Sequence, residues 1–239
     1  MVNFSLAGMN MREFRDINSG REVFYNFLSR CYKKEVDEDF LVMLVSLMPY
    51  IENIAFQSDI DNMSKGVALL RKVSDSLTEL DAEGKKSFLL DLARDFAYLF
   101  LIGVKSVPYS ESVYLSPEHL VKQEPRDRVL KIYRETGFIV SKEFNEPEDH
   151  IAVEFEFMAR LSSLVCESID RGDNEGISNY LDCQKTFMEE HLNKWIHQFT
   201  GFLVRAAEER NFYKAVAYLT EGFMEADYGF IKEAVEVGS

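Results

Sequence analysis

The sequence predicts an all-α protein, a single helical-bundle domain of about ten helices spanning residues 1–239. Apolar residues recur at the 3.6-residue helical period through most of the chain, and no alternating strand pattern runs longer than a few residues. The chain holds only 12 Gly and 5 Pro, fewer than a turn-rich β fold of this length would use. We therefore expect long helices joined by short connections.

Four amphipathic helices are predicted in the first hundred residues, each from an apolar stripe on one face. They span about 19–34, 37–49, 59–77 and 85–102. The first opens at capping residues 17–19, the second stops by Pro49, and Gly103 closes the fourth. The apolar band of the fourth helix is wide, so we expect that helix to lie at the centre of the bundle.

Residues 107–115 have no helical period, and Pro108 disfavours helix at the residue before it. We predict a loop rich in aromatic and hydroxyl groups, among them Tyr109, Ser112 and Tyr114. Aromatic side chains in a loop either pack against the protein or bind a partner. A packed loop and a binding loop both remain open.

Helices are also predicted through the second half of the chain. The first starts at the N-cap and proline of residues 116–117 and ends at Gly137. The next spans about 146–170 and is stopped by residues 171–173, which include Gly172. The others span about 177–192, 195–207 and 212–224. We interpret Trp195 as a core aromatic at a helix junction.

The helix from Glu146 carries the most distinctive pattern. Its apolar stripe points into a core, and Pro147 and the acids around it suit a first helical turn. Between Glu143 and Glu156 there are six carboxylates and no Lys or Arg. We expect Asp149 and His150 to lie in the first turn, clear of the core, so that replacing them leaves the fold intact.

The formal net charge of −14 disfavours nucleic acid, whose binding depends on Lys and Arg, and favours basic peptides. An acidic surface that only confers solubility is the plain alternative.

Cys31, Cys166 and Cys183 form no CxxC pair, which predicts free, mostly buried thiols in a reducing compartment. Residues 1–16 carry no secretory signal, and the longest apolar run, 96–104, is too short to span a bilayer. We predict a cytoplasmic protein without a membrane span.

The motifs give little support to an enzyme. His150 and Glu154 could share a metal at i, i+4, but a catalytic zinc normally takes three protein ligands, and the chain has no HExxH. It also has no GxSxG and no P-loop. We predict no catalytic residue, metal or cofactor, and keep a metal-dependent or nucleotide-hydrolysing enzyme as a distant alternative.

Four segments resemble the TorD/DmsD family of redox-enzyme maturation chaperones, and the resemblance covers most of the chain. They are the Pro-Tyr-Ser-Tyr loop of 108–114, the helix end of 133–138, the acidic signature of 146–161, and Phe187 with His191, Leu192 and Trp195. The acidic signature is the most specific of the four. It departs from the family at Phe155, where leucine is usual, and the position stays apolar.

The resemblance implies a non-enzymatic chaperone that binds the twin-arginine signal peptide of a molybdopterin-dependent oxidoreductase precursor. Such a chaperone assists cofactor insertion and delays export. The residues that the resemblance assigns to the peptide site are Tyr109, Ser112, Tyr114, Glu148, Asp149 and His150. Elementary chemistry agrees, because an arginine pair followed by an apolar segment needs carboxylates beside an apolar groove.

The resemblance leaves three questions open. A NarJ-like relative would serve a membrane-bound nitrate reductase by binding its N-terminal tail, and the sequence does not separate it from a signal-peptide chaperone. A guanine nucleotide has been proposed as a ligand of relatives. The protein could be a monomer or a homodimer.

Overall fold

The computed structural model describes residues 8–102 and 106–238, and within these ranges the chain forms helices and no strand. The helices are α1 (Met11–Lys33), α2 (Glu38–Ser58), α3 (Asp61–Glu79), α4 (Ala82–Phe96), α5 (Glu111–Leu115), α6 (Glu124–Thr136), α7 (Ile151–Arg171), α8 (Asn174–Phe187), α9 (Asn193–Ala207) and α10 (Asn211–Gly238). A π-helical turn follows α4 at Ala97–Leu101 and another follows α8 at Met188–Leu192. The predicted all-α class is confirmed.

The described residues divide into two compact units. The first unit comprises 33–102, 106–108 and 197–226, and the second comprises 8–32, 109–196 and 227–238. That residues 1–239 form a single domain stays a prediction.

The first helix begins earlier than predicted because of a capping box at Asn10 and Glu13. The Asn10 side chain accepts hydrogen bonds from the backbone N–H groups of Arg12 and Glu13, both at 3.0 Å. The Glu13 carboxylate in turn accepts the Asn10 N–H at 3.1 Å. This reciprocal pair satisfies amides that would otherwise lack partners and starts α1 about two turns before the expected cap.

The predicted end of the second helix at Pro49 is wrong. Proline removes one helical hydrogen bond and usually kinks or breaks a helix. Here α2 continues through it to Ser58, and Ile51 and Ala55 extend the buried face beyond the proline. Burial of this face offsets the lost bond.

The expectation for the fourth helix is also wrong in part. Asp81 caps the helix by accepting the Gly84 N–H at 2.8 Å, so α4 begins at Ala82 rather than at residue 85. Leu92 and Phe96 of α4 are buried, and so are Leu99 and Phe100 of the π-helical turn that continues it. The predicted stop at Gly103 lies outside the described residues.

Helices α3 and α10 approach each other closely in the first unit. A Cβ on Gly66 of α3 would lie 2.7 Å from the Leu219 side chain of α10, and one on Gly222 would lie 2.6 Å from the Met63 backbone. Glycine at both positions therefore lets the two helices approach. Beside them α2 is the one described helix with the length and mean hydropathy, 1.4, to cross a membrane by composition alone. Its buried face belongs to the core of this unit.

Helix α7 forms the core of the second unit and packs on α8. Its buried Phe157 lies 4.8 Å, centroid to centroid, from both Tyr133 of α6 and Phe187 of α8. Gly137 and Gly172 end α6 and α7 in the left-handed conformation that glycine adopts without strain, as the sequence predicts.

A buried ion pair in the second unit joins α1 to the C-terminal half of α10. The Arg21 guanidinium donates to both carboxylate oxygens of Asp227, at 2.5 and 3.0 Å, and further to Asn18 and Gln184. The Tyr25 hydroxyl donates to the same carboxylate at 2.6 Å. Burial acts to lower the pKa of the Arg21 guanidinium, but the charge of Asp227 and its hydrogen bond outweigh burial, so the pKa of Arg21 is raised.

We expect Asp227→Ala to lower the free energy of unfolding by about 3–5 kcal/mol, because it leaves the Arg21 charge buried without its counter-ion. Urea denaturation followed by circular dichroism measures the change. Asp170→Ala is the matched control, since it removes the solvent-exposed partner of Arg15 and should leave the midpoint unchanged. A similar midpoint for both variants would show that the buried pair contributes no more than a surface pair.

Candidate functional site

Backbone hydrogen bonds bring residues 109–112 against residues 148–151 in the second unit. Ser110 and His150 form a single antiparallel bridge. The Ile151 N–H donates to the Tyr109 carbonyl at 2.8 Å, and the Glu111 N–H donates to the Asp149 carbonyl at 2.9 Å. The predicted loop and the predicted acidic signature are therefore adjacent.

The loop expected over 107–115 is partly helix, and Asp149 is the reason. The short helix α5 begins at Glu111, and one Asp149 carboxylate oxygen accepts both the N–H of Ser112, at 2.8 Å, and its hydroxyl, at 2.5 Å. The Ser112 hydroxyl also accepts the Gln123 N–H at 3.2 Å. A carboxylate from a distant segment thus caps a helix too short to be stable alone.

Asp149 and His150 were expected in an exposed first turn, where their replacement would leave the core intact. That expectation is wrong, because both side chains are buried. Asp149 is fully buried and His150 is 2% exposed. Burial raises the pKa of Asp149, and the hydrogen bonds from Ser112 oppose that rise. The helix itself begins at Ile151 rather than at Glu146. Paired segments from elsewhere in the chain cover both side chains.

His150 is the N-cap of α7. Its Nδ1 accepts the Ala152 N–H at 3.0 Å, which leaves Nε2 to carry the imidazole proton. The ring lies 4.3 Å from the Tyr109 ring and 5.1 Å, edge-on, from the Phe144 ring. Tyr109 and Phe144 are half-buried, so this aromatic cluster has one side toward solvent.

Glu148 belongs to an ion pair inside the unit. It is half-buried and bonds to the Arg126 guanidinium of α6, and this hydrogen bond lowers the pKa of the Glu148 carboxyl. Glu143 and Glu146 are the exposed carboxylates of the acidic stretch. Glu146 also bonds to the Tyr109 hydroxyl, which helps burial to raise the pKa of that tyrosine.

Tyr114 lies within α5 and packs against Trp195 of α9. It is half-buried, and its ring lies 5.1 Å from the ring of the buried Trp195. The interpretation of Trp195 as a core aromatic is confirmed. Of the six predicted site residues, Tyr109, Tyr114 and Glu148 are half-buried, while Ser112, Asp149 and His150 are buried behind them.

Two buried glutamates, Glu111 and Glu154, complete the polar cluster. Glu154 was weighed from the sequence only as a possible metal ligand, and Glu111 was not singled out. Both Glu111 oxygens lie 3.0 Å from the Nδ1 of His191. The Trp195 Nε1–H donates to Glu154 at 3.3 Å. Glu154 was detectable, because it lies three residues after Ile151 and four before Met158, within the stripe that faces the core. Glu111 gave no such signal.

These side chains bond to one another and fix the segments that carry them. Among the described residues no three His, Cys, Asp or Glu side chains converge on a possible metal position. The arrangement combines half-buried aromatic rings, exposed carboxylates and a fully buried polar support.

The sequence places this chain in a family. The profile described as nitrate reductase delta subunit matches residues 60–201, more than half of the chain, and the chain belongs to that family. Two proteins named Chaperone protein TorD, one from Shewanella sp. (strain MR-4) and one from Photobacterium profundum, are each 28% identical to it. The alignments cover 92% of this chain and 98% of each relative. No solved structure gives a significant match.

These matches confirm the resemblance to the TorD/DmsD family. The relatives are named as chaperones, which confirms that the protein is a chaperone rather than an enzyme. Family and relatives together support a redox-enzyme maturation chaperone.

We expect Asp149→Ala to lower the free energy of unfolding by on the order of 1–3 kcal/mol, because it strands the buried Ser112 N–H without an acceptor. Chemical denaturation measures the loss. Glu146→Ala removes an exposed carboxylate three residues away and serves as the control, with little change expected. Equal stability of the two variants would contradict the capping role of Asp149.

Proposed function

We propose that the second unit binds the twin-arginine signal peptide of a molybdopterin-dependent oxidoreductase precursor in the cytoplasm. Binding there would assist cofactor insertion and delay export. Membership of a chaperone family supports the proposal. The observation that carries it is the half-buried aromatic pair Tyr109 and Phe144 on His150, directly beside the exposed carboxylates of Glu143 and Glu146.

In this proposal the arginines contact the accessible carboxylates, and the buried ones position them. Glu146 is exposed and Glu148 is half-buried, whereas Asp149 has no exposed surface. A guanidinium pairs with a carboxylate through two parallel hydrogen bonds, and Arg126 already bonds to Glu148. A client arginine would therefore have to share Glu148 with Arg126 or compete with Arg126 for it. Such an arginine could bind Glu146 directly. Asp149 and His150 hold the two segments together behind them.

The apolar segment of the peptide would lie on the aromatic side chains. Tyr109, Phe144 and Tyr114 are half-buried, and Leu120 and Val121, which follow α5, are exposed. Ion pairs at an exposed rim contribute about 0–1 kcal/mol each. Most of the affinity should therefore come from apolar contact, while the arginines add orientation and a salt-sensitive association rate.

Calorimetric titration with three peptides tests this division. The peptides are a twin-arginine signal peptide, the same peptide with two lysines for the arginines, and one with polar residues in the apolar segment. We expect the lysine peptide to bind modestly worse, since lysine cannot form the paired hydrogen bonds. The polar peptide should show almost no binding. Equal binding by all three would contradict the proposed surface.

A pair of charge-matched variants tests which carboxylate contacts the arginines. Glu146→Gln should weaken binding of the arginine peptide and reduce its dependence on salt, because one ion pair is lost. Glu175→Gln removes the same charge from the exposed first turn of α8 and should bind as the wild type does. If both variants bind equally, Glu146 does not contact the arginines.

A second client class is favoured by the family's own description. Because the matching profile is described as nitrate reductase delta subunit, the bound segment could be the N-terminal tail of a nitrate reductase or related enzyme. A tail peptide without an arginine pair would then bind as tightly as a signal peptide and would be insensitive to Glu146→Gln. Binding of the arginine peptide alone supports the signal-peptide assignment. Guanine-nucleotide binding and the choice of monomer or homodimer stay predictions.

A further inference from the structure

The Glu148 carboxylate already holds a guanidinium, that of Arg126. Arg126 belongs to the first turn of α6, and its Nε–H donates to one oxygen of Glu148, 22 residues further along the chain. Solvent reaches both groups, because the Arg126 side chain is 24% exposed and the Glu148 side chain is 28% exposed. The pair therefore lies at the accessible edge of the candidate site.

Glu148 is the fixed member of this pair. The residues on either side of it, Pro147 and Asp149, are buried. The Glu148 carbonyl accepts the Tyr133 hydroxyl at 3.4 Å, and the Asp149 carboxylate is bonded to Ser112. The backbone that carries the Glu148 carboxylate is thus held on both sides, so the carboxylate stays in place whichever cation binds it.

Arg126 is the member that can leave. Among the described residues, its side chain makes one hydrogen bond, the one to Glu148. Its Nη1 lies 3.6 Å from the exposed carboxylate of Asp127, which is too far for a hydrogen bond. A guanidinium can form two parallel bonds to a carboxylate, and Arg126 uses only its Nε–H. A cation in the first turn also faces the positive end of the helix dipole, so α6 loses no stabilisation when Arg126 departs.

We propose that Arg126 is a placeholder on Glu148, which an arginine of the client displaces and a lysine does not. This rests on the proposed function, since the incoming guanidinium belongs to the signal peptide. A guanidinium lies on the carboxylate before and after binding, so the Glu148 charge keeps a counter-ion. A client arginine that forms two parallel bonds outcompetes the single bond of Arg126. A lysine ammonium is a strongly hydrated point charge without that paired geometry. Arg126 thereby reserves Glu148 for arginine.

The displacement has a consequence for the dependence of binding on salt. In the wild type one ion pair at Glu148 is broken for each one that forms, so salt weakens both states and this position adds little net dependence. Arg126→Gln leaves Glu148 without a cation, and the client arginine then adds an ion pair that replaces none. The fold should tolerate this change, because the Glu148 carboxylate remains accessible to water.

Calorimetry with the twin-arginine peptide measures what the displacement costs. Arg126→Gln should bind this peptide several-fold more tightly than the wild type does, and its affinity should fall more steeply with added salt. Arg128→Gln is the matched control, since it removes the same charge from an exposed residue of α6 that pairs with Glu124. In a Glu148→Gln background, Arg126→Gln should give no gain beyond that of Arg128→Gln. Equal affinity of the two single variants would overturn the proposal.

Nuclear magnetic resonance of the Arg126 Nε–H observes the exchange in the wild type, and Arg126→Gln assigns the signal. The saturating arginine peptide should move this signal to the position of a free arginine, whereas the two-lysine peptide should leave it unchanged. A signal that stays in place when the arginine peptide is bound would overturn the placeholder role alone. Displacement by the lysine peptide would overturn the selectivity. If no peptide binds to the wild type or to any variant, the proposed function fails, and the placeholder role fails with it.

Discussion

The hydrogen bonds between Asp149 and Ser112 are the interaction on which the candidate site depends. They join two segments 37 residues apart in the chain. A five-residue helix cannot form by itself, because nucleating a helix fixes several residues for a single hydrogen bond. The distant carboxylate caps it, and the adjacent backbone bonds of Tyr109 and Glu111 hold it against the start of α7. Without this cap Tyr109, just before α5, and Tyr114, within it, would have no fixed position.

The acidic stretch therefore divides into carboxylates with different tasks. Asp149 and Glu154 are buried and brace the fold, Glu148 is half-buried in an ion pair, and Glu143 and Glu146 face solvent. Burying a carboxyl group is costly unless it finds a hydrogen-bond donor or keeps its proton. Asp149 finds donors in Ser112, and Glu154 finds one in Trp195 while its pKa is raised. A count of charges along the sequence treats all of these groups as equal.

The helical class and most helices follow from the sequence, because an apolar stripe at the helical period is a local signal. The glycine ends of α6 and α7 are local too, and both were predicted correctly. The predictions that failed concern residues whose partners are far away in the chain, or residues whose local preference is overridden by packing. Pro49 lies within α2 because packing on both sides of it outweighs one lost hydrogen bond.

The candidate site depends even more on contacts between residues far apart in the chain, which local sequence patterns do not reveal. The two segments that form the site were predicted from the sequence. The exposure of Asp149 was predicted wrongly, because residues 37 positions before Asp149 cover it. The pairing of Glu111 with His191 spans 80 residues and leaves no periodic trace. Glu154 did leave one, as a charged residue within a buried stripe, and such a residue is a reason to expect a buried partner.

Because polar contacts support the site, its two helices differ in how easily they open. Helix α7 is held by large apolar residues on most of its surface, and it should open only with the whole unit. Helix α5 is held by the cap of Asp149, the contacts of Glu111 and a few backbone bonds, so it can open at a lower free energy. The proposed uptake and release of a client segment would use one rigid wall and one movable wall. In this unit α7 has the construction of the first and α5 that of the second.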